Sequence, residues 1–171
     1  MQEGSLLPIV IGLMIMAGCT DIDAAELIVG RAVAIDGDTI EIEGEEIRLH
    51  GIDAVERWQM CRDKDWIQYS CGNEAAFLLA DFLERSPPLS CDVVARDRQG
   101  RVAANCRRAD GASVNAWMVE QGYALDRARY SGGAYSSLQK QAREAHRGLW
   151  KGQFDAPCVA RATRESRPPV C

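Results

Sequence analysis

Alternating apolar and polar residues near the start of the chain constrain its fold more than any other feature. Three consecutive runs, ELIVGRAVAID, DTIEIEG and EIRLHGID, show this alternation, which is typical of strands with one buried face. Gly44–Glu45 separates the second run from the third and predicts a two-residue hairpin loop with glycine first. That register places Ile42 opposite Ile47. It also places Arg48 opposite Glu41, where the two side chains would form an ordinary surface ion pair.

The segment after these strands predicts a helix over residues 73–85, NEAAFLLADFLER. Phe77, Leu78 and Phe82 share one side of this helix, which is the side expected to face the core. Pro87–Pro88 follows the helix and closes it, because proline cannot continue a helix.

One hairpin and two further helices complete the pattern. Residues 91–106 predict two strands joined by a short turn near Arg98–Gln99. Ser113 is a suitable N-cap for a helix that ends at Gly122, and a last helix spans residues 135–147. Five short strands with interleaved helices predict an α+β fold, a five-stranded OB-fold-type Greek-key β-barrel with three helices packed outside. Other α+β sheets share this order of elements.

Residues 1–25 have the character of an export leader. The run LLPIVIGLMIMAG is apolar but shorter than the roughly 20 residues that a helix needs to span a bilayer, and it has the length of a signal-peptide core. Two processing routes stay open: signal peptidase cleavage near Ala24–Ala25, or a lipid anchor on an acylated Cys19. We expect export to the periplasm or the cell exterior, with no spanning segment in the mature chain. One domain would cover residues 26–151, followed by a tail over residues 152–171.

The cysteine count supports export. Without Cys19 an even set of six cysteines is left, which favours disulfides in an exported domain: Cys61, Cys71, Cys91, Cys106, Cys158 and Cys171. Pairing Asp97 with Gly100 across the hairpin turn puts Cys91 opposite Cys106. Cys61 and Cys71 bracket one loop, and Cys158 and Cys171 both lie in the tail, so these are the natural other pairs. A zinc site is disfavoured because the chain has no CxxC motif and only two histidines.

The charge is modest overall but unevenly placed. The formal charge is −5, and removing the three acids of the leader brings it to about −2, which does not indicate a nucleic-acid binder. Residues 26–57 have nine acids and three bases, whereas residues 127–171 have nine bases and three acids. This asymmetry suits a cation in the first part and an anionic polymer in the second. For the tail, the favoured interpretation is that its charges face solvent.

Acids and arginines gather at the ends of the predicted strands: Asp36, Asp38, Asp53, Glu56, Arg48 and Arg101. Carboxylates this close repel one another unless a cation, hydrogen bonds or solvent compensate them. Aspartate oxygens bind hard cations such as Ca²⁺ or Mg²⁺, and arginine forms bidentate contacts with phosphate. The set therefore suits metal-assisted attack of water on a phosphodiester. It also suits turns and surface ion pairs, and spacing alone does not decide between the two interpretations.

Four motifs in sequence, IDGDTI, IRLHGIDAVE, DRQGR and VNAWMVEQGYA, resemble the staphylococcal-nuclease-like (thermonuclease) family. The resemblance covers residues 30–150. It implies the OB-type barrel with three helices, and an endonuclease that hydrolyses DNA and RNA with Ca²⁺ to give 3′-phosphate ends. We expect single-stranded or denatured DNA and RNA as substrates, and a monomeric enzyme.

The resemblance also implies a role for each matching acid. Asp38 and Asp53 would bind the calcium side by side, with the Ala54 backbone carbonyl as a third protein ligand. Glu56 would position or deprotonate the attacking water, and Asp36 would tune the cluster electrostatically.

The matching basic and aromatic residues would contact the substrate. By the same resemblance, Arg48 and Arg101 grip the phosphate and its transition state. Tyr123 and Tyr130 resemble positions near the nucleotide pocket of the family.

Two features depart from the family pattern. Residues 53–56 read Asp-Ala-Val-Glu without the usual proline in third place, which frees a φ angle and could loosen Glu56. The loop that follows carries Trp58, Trp66 and Tyr69. These aromatics either stack on unpaired bases or pack the loop onto the barrel, and packing is favoured.

Two other functional classes stay open. The chain could be a catalytically weak nucleic-acid-binding module on the same barrel, although its complete set of acids and arginines argues against this. It could also be an exported interaction protein that shares only the fold, since a fold does not fix a function.

Overall fold

A barrel of short strands dominates the computed structural model, which describes residues 26–171. The predicted leader, with its alternative anchor at Cys19, lies outside the described residues. The strands in chain order are β1 (Leu27–Gly30), β2 (Ala32–Ala34), β3 (Thr39–Ile42), β4 (Glu45–Leu49), β5 (Ile52–Ala54), β6 (Cys61–Asp63), β7 (Gln68–Tyr69), β8 (Leu89–Arg96), β9 (Val102–Arg108), β10 (Ala124–Asp126) and β11 (Gly152–Gln153). The α-helices are α1 (Cys71–Glu84), α2 (Val114–Glu120), α3 (Ala128–Ser131), α4 (Ser136–Glu144) and α5 (Pro157–Arg164), with a 3₁₀ turn at Gly148–Lys151.

The main sheet curls because both of its edges come from one bent strand. Its strand order is β1-β8-β9-β4-β3-β2, so β1 and β2, which only Arg31 separates in the chain, lie at opposite edges. All neighbours are antiparallel except β4 and β9, which run parallel. Counting β1 and β2 as one strand gives the predicted five-stranded OB-fold-type barrel, and the α+β class is confirmed. The described residues contain five α-helices rather than three.

The hairpin between β3 and β4 has a different register from the predicted one. Ile40 faces Ile47, and the two-residue loop is Glu43–Gly44 rather than Gly44–Glu45. Both loop residues have positive φ, 52° and 84°, as a type I′ turn requires, and such turns match the twist of the flanking strands. Arg48 consequently lies opposite Thr39. The expected ion pair between Arg48 and Glu41 was wrong.

The second hairpin forms the predicted cysteine pair, but its turn and its strand register differ from the predicted ones. Cys91 lies opposite Cys106, and the two form a disulfide. The turn is one residue longer than predicted, because the Asp97 amide donates to the Arg101 carbonyl (3.0 Å). A bulge between Val93 and Ala95 supplies an extra residue on β8 and offsets this shift. Without the bulge, the longer turn would move the two cysteines out of register.

The core fills the barrel and the groove under α1. The alternating residues Ile40, Ile42, Ile47 and Leu49 are all buried, as predicted. On α1 the buried residues are Cys71, Gly72, Ala75, Ala76, Leu79, Phe82 and Leu83. Phe77 is 71% exposed, so its predicted place on the core face was wrong. The apolar stripe follows Ala75, Leu79 and Phe82 instead, because these positions recur every three to four residues.

Helix α2 is joined to the barrel by a buried amide. The Ser113 side chain caps the helix by accepting from the Ala116 amide (3.2 Å), as predicted. Asn115, fully buried, accepts from the Cys106 amide (3.0 Å) and donates to the carbonyls of His50 (2.9 Å) and Ala104 (3.2 Å). These hydrogen bonds connect the end of β4 and strand β9 to α2.

The tail contains structure that the sequence does not predict. Helix α5 buries four small side chains: Pro157, Cys158, Ala160 and Ala162. The Cys158–Cys171 disulfide joins the start of this helix to the end of the chain, and Cys61–Cys71 closes the loop before α1. Among the described residues, no helix has the length and apolar character needed to cross a membrane.

Replacing Asn115 with alanine tests the connection between α2 and the barrel. Asn115→Ala leaves the buried Cys106 amide and the His50 carbonyl without this partner, while the Ala104 carbonyl keeps its hydrogen bond from the His50 amide. We therefore expect the free energy of unfolding to fall by about 3 kcal/mol. Urea denaturation measures this change. Asn73→Ala, at an exposed position on α1, is the matched control and should change stability little. A loss below about 1 kcal/mol for Asn115→Ala would contradict this role.

Candidate active site

Two buried aspartates form the centre of the site. Asp38 lies just before β3, and its backbone carbonyl accepts from the Leu49 amide (2.8 Å), which fixes it against the end of β4. Asp53 lies in β5, which pairs with β10 at the mouth of the barrel. Both residues are buried, at 6% and 4% exposure, although ionised carboxylates are almost never fully buried without partners. The partners must therefore come from the surrounding elements.

Asp38 is satisfied by three donors. The Thr39 hydroxyl donates to Oδ1 (3.0 Å), and the Ala54 amide donates to Oδ2 (3.1 Å). Arg48 Nη2 also donates to Oδ2 (3.1 Å). The Ala54 contact places the backbone of β5 beside the Asp38 carboxylate. The family resemblance implies that the carbonyl of this same residue would bind a cation.

Arg48 bridges the two aspartates. Its Nη2 lies 3.1 Å from Asp38 Oδ2 and 3.4 Å from Asp53 Oδ1. The two carboxylates therefore converge on one nitrogen atom. The Arg48 side chain as a whole is half-exposed, so solvent reaches it.

Glu56 is held in place despite the missing proline. Val55, which replaces it, is fully buried. The Glu56 amide donates to Gln59 Oε1 (3.3 Å), and the Gln59 amide donates back to the Glu56 carbonyl (2.7 Å). Helix α1 comes so close that a Cβ on Gly72 would lie 1.8 Å from the Glu56 carbonyl oxygen. The expected loosening of Glu56 is therefore not seen, because packing and hydrogen bonds replace the ring constraint.

Arg161, an arginine from the tail, completes the cluster of charged residues. No sequence motif predicts its place there. Arg161 Nη1 donates to Glu56 Oε1 (2.6 Å), and Nη2 donates to Asp53 Oδ1 (3.0 Å) and Oδ2 (2.9 Å). Its side chain is only 22% exposed, so the expectation that the tail charges simply face solvent was wrong for this residue. Burial alone would lower the pKa of the Arg161 guanidinium, but the hydrogen bonds to the two carboxylates outweigh burial and raise it.

Asp36 adds a fourth carboxylate beside the cluster. Burial raises its pKa, a hydrogen bond from the Gly37 amide opposes this, and the nearby charges of Asp38 and Glu56 raise it further. Four carboxylates surround two guanidinium groups, so the cluster has an excess of negative charge that a divalent cation would balance.

The donors of the site fit a hard cation in kind. Asp38 and Asp53 offer oxygen atoms, which Ca²⁺ and Mg²⁺ prefer, and their convergence on one Arg48 nitrogen shows that they lie side by side. Within residues 26–171 no three His, Cys, Asp or Glu side chains are arranged to hold a metal ion. A cation here would therefore need further oxygen ligands from the backbone or from water, and the carbonyl of Ala54 stays a predicted ligand.

Arg101 stands apart from the four carboxylates and shares a cleft with Arg48. Its Nε donates to Asp97 Oδ2 (2.6 Å), and its side chain is mostly exposed. Arg48 and Arg101 both line a cleft of about 290 Å³ on the outside of the sheet. The structure thus places the two predicted phosphate ligands around one space, with Arg101 held by an exposed pair that a substrate phosphate can replace.

The two predicted substrate tyrosines differ. Tyr123 is 7% exposed and its hydroxyl donates to Glu74 Oε1 (2.7 Å), so this buried ring has no free face for a nucleotide in the observed conformation. Tyr130 is half-exposed beneath the Arg127 guanidinium, 4.5 Å from the ring centroid. A small cavity is lined by both Tyr130 and Arg48, which keeps Tyr130 within the site.

The aromatic residues of the 57–70 loop only partly pack on the barrel. Tyr69 is half-buried, with Lys151 Nζ 4.1 Å from its ring centroid. Trp66 is 60% exposed, and Trp58 is also exposed, with the Arg164 guanidinium 4.6 Å from its ring. The favoured prediction of packing therefore holds for Tyr69 and is wrong for the two tryptophans.

Comparisons with known proteins show the family to which the chain belongs. Residues 46–152 match the family described as Staphylococcal nuclease homologue. A "Succinoglycan biosynthesis protein ExoI" of Rhizobium meliloti (strain 1021) is 46% identical over 151 residues, which cover 88% of this chain and 79% of that protein. An "Uncharacterized endonuclease" of Escherichia coli is 32% identical over 134 residues, or 75% of this chain and 80% of that protein. The family match spans Arg48, Asp53, Glu56 and Arg101.

Enlarging Gly72 tests whether α1 positions Glu56. In Gly72→Ala the new methyl group would overlap the Glu56 carbonyl, and a backbone atom cannot move aside cheaply. We expect the free energy of unfolding to fall by about 3 kcal/mol in urea denaturation. The neighbouring Asn73→Ala again serves as the control. Wild-type stability for Gly72→Ala would show that the helix and the Glu56 loop are not in such close contact.

Proposed function

This chain belongs to the staphylococcal nuclease homologue family and is a nuclease of that family, and on this premise we propose that it hydrolyses phosphodiester bonds of DNA and RNA with Ca²⁺. One observation supports the proposal most strongly. A single nitrogen of Arg48 contacts the carboxylates of both Asp38 and Asp53, so a phosphate bound by this arginine would lie next to the proposed cation site.

Each residue has a chemical role in this proposal. Glu56 takes a proton from a water molecule, whose oxygen forms a bond to phosphorus. The bond from phosphorus to the 5′ oxygen breaks and that oxygen takes up a proton from solvent, while Glu56 returns its own proton to solvent, which leaves a 3′-phosphate and a 5′-hydroxyl. Arg48 and Arg101 hold the non-bridging oxygens, whose negative charge increases in the transition state.

The cation adds one further contribution. When bound by Asp38, Asp53 and the Ala54 carbonyl, it neutralises the phosphodiester and polarises the bond from phosphorus to oxygen. The family generally uses Ca²⁺. The excess of carboxylates over guanidinium groups supports a divalent ion at this position.

We further propose that the protein acts outside the cytoplasm. Three disulfides join all six cysteines of residues 26–171, and such bonds persist in oxidising compartments. The predicted leader supports the periplasm or the cell exterior, reached by signal peptidase cleavage or with a lipid anchor at Cys19. We propose that the active protein is a monomer. Its proposed substrates are single-stranded or denatured DNA and RNA.

A catalytically weak nucleic-acid-binding module is the second candidate. The observation that favours it is the pairing of Arg161 with Glu56 and Asp53, which occupies the proposed base and metal ligand. One relative is also named for succinoglycan biosynthesis rather than for a nuclease.

Digestion of denatured DNA and of RNA separates the two candidates. The oxidised protein should cleave both polymers with Ca²⁺ and lose this activity with a chelator. Glu56→Gln should lower kcat by roughly 10²–10⁴-fold, because the amide cannot accept the proton. Arg48→Lys should lower it by about 10²-fold, since an ammonium group lacks the bidentate geometry.

Glu43→Gln provides the matched control, because Glu43 is exposed in the β3–β4 loop and contacts none of the proposed residues. It should retain wild-type activity. Binding of DNA that weakens with salt, without cleavage by the folded wild type, would favour the binding module and contradict the proposed reaction.

A further inference from the structure

Helix α5 brings a positively charged group into the centre of the proposed active site. Arg161 donates three hydrogen bonds to the carboxylates of Asp53 and Glu56, at 2.6–3.0 Å. Hydrogen bonds between ionised partners are about twice as strong as neutral ones. The contact joins residues more than 100 positions apart in the chain, so it depends on where the tail docks.

These hydrogen bonds engage the same oxygen atoms that the proposed reaction requires. Arg161 Nη2 contacts both carboxylate oxygens of Asp53, the proposed cation ligand. Nη1 contacts Oε1 of Glu56, the proposed base. A calcium ion approaches its oxygen ligands to 2.3–2.6 Å, closer than the guanidinium nitrogens lie now. Arg48 Nη2 also lies 3.4 Å from Asp53 Oδ1, so both Asp53 oxygens already face a guanidinium nitrogen. A divalent cation would bring further positive charge to the same oxygens, so cation and Arg161 guanidinium oppose each other at Asp53.

The tail holds Arg161 in place from several directions. The buried Gln59 side chain donates to the Asp155 carbonyl just before α5 (2.6 Å). Within the helix, Ala160 and Ala162 on either side of Arg161 are buried. The Cys158–Cys171 disulfide fastens the first turn of α5 to the end of the chain. Arg161 is therefore presented by a docked helix rather than by a free surface segment.

We propose that Arg161 is a built-in competitor of the divalent cation, so that the tail masks Asp53 and Glu56 until a cation displaces its guanidinium. This inference rests on the proposed function, because it uses the same cation site. While the cation is scarce, the positive charge of Arg161 compensates the negative charges of Asp53 and Glu56. Binding of the cation frees the Glu56 oxygen for the attacking water.

Calorimetric titration with Ca²⁺ tests this competition without measuring cleavage. The oxidised wild type is compared with Arg161→Gln, which removes the positive charge and keeps a polar side chain. We expect Arg161→Gln to bind Ca²⁺ about tenfold more tightly or better, because the ion no longer displaces several charge-assisted hydrogen bonds. Arg161→Lys, which keeps the charge but lacks the forked geometry, should lie between the two.

Arg164→Gln is the matched control. Arg164 lies three residues later on the same helix, contacts the Trp58 ring and forms no ion pair within residues 26–171. It should bind Ca²⁺ as the wild type does. Thermal unfolding of each variant reports whether it is folded, and Arg161→Lys keeps the test decisive if Arg161→Gln does not fold.

The outcomes separate this inference from the proposed function. Equal or weaker Ca²⁺ binding by the folded Arg161 variants would overturn the competition, while calcium-dependent cleavage by the wild type would leave the nuclease proposal standing. Absence of Ca²⁺ binding in the wild type and in all variants would overturn both the competition and the choice of Ca²⁺.

Discussion

The mutual repulsion of four carboxylates at the barrel mouth is the constraint on which the site depends. Asp38 and Asp53 are buried, Glu56 and Asp36 lie beside them, and two guanidinium groups compensate part of their charge. Arg48 comes from β4 and Arg161 from α5, at opposite ends of the chain. The fold must therefore hold a barrel strand and a tail helix in one place, and their positions depend on distinct local features.

Those features are a turn, a bulge and a disulfide. The Glu43–Gly44 turn sets the register that places Arg48 beside Asp38 rather than beside Glu41. The bulge in β8 keeps Cys91 opposite Cys106 despite the three-residue turn. In the tail, the Cys158–Cys171 disulfide restrains the helix that carries Arg161. The turn and the tail disulfide therefore act on the two arginines of the cluster, whereas the bulge keeps the barrel disulfide in register.

Sequence reasoning predicts the barrel well because its signal is local and periodic. Alternation identifies β3 and β4 and their buried faces. It does not identify their register, since sliding one strand by two residues leaves every side chain on the same face. Ile47 therefore meets Ile40 instead of Ile42. The four acids of the site follow from motif order, and the structure gathers them as expected.

The tail shows where such reasoning fails. Helix α5 buries only small side chains of alanine, proline and cysteine, so it lacks the large apolar residues by which α1 and α2 are recognised in the sequence. Its key contact joins Arg161 to residues more than 100 positions away, and no local pattern contains that information. Family resemblance can also suggest a contact that the structure does not offer. It predicts Tyr123 near a nucleotide pocket, but this residue is buried and its hydroxyl donates to Glu74.

The central claim is that Asp38 and Asp53 form a divalent cation site, and thermal unfolding with and without Ca²⁺ tests it most directly. A ligand that binds only the folded state raises the melting temperature. We predict that Ca²⁺ raises the Tm of the wild type and that this shift disappears in the double variant Asp38→Asn/Asp53→Asn. An equal shift in both proteins, or no shift in the wild type at saturating Ca²⁺, would contradict the account.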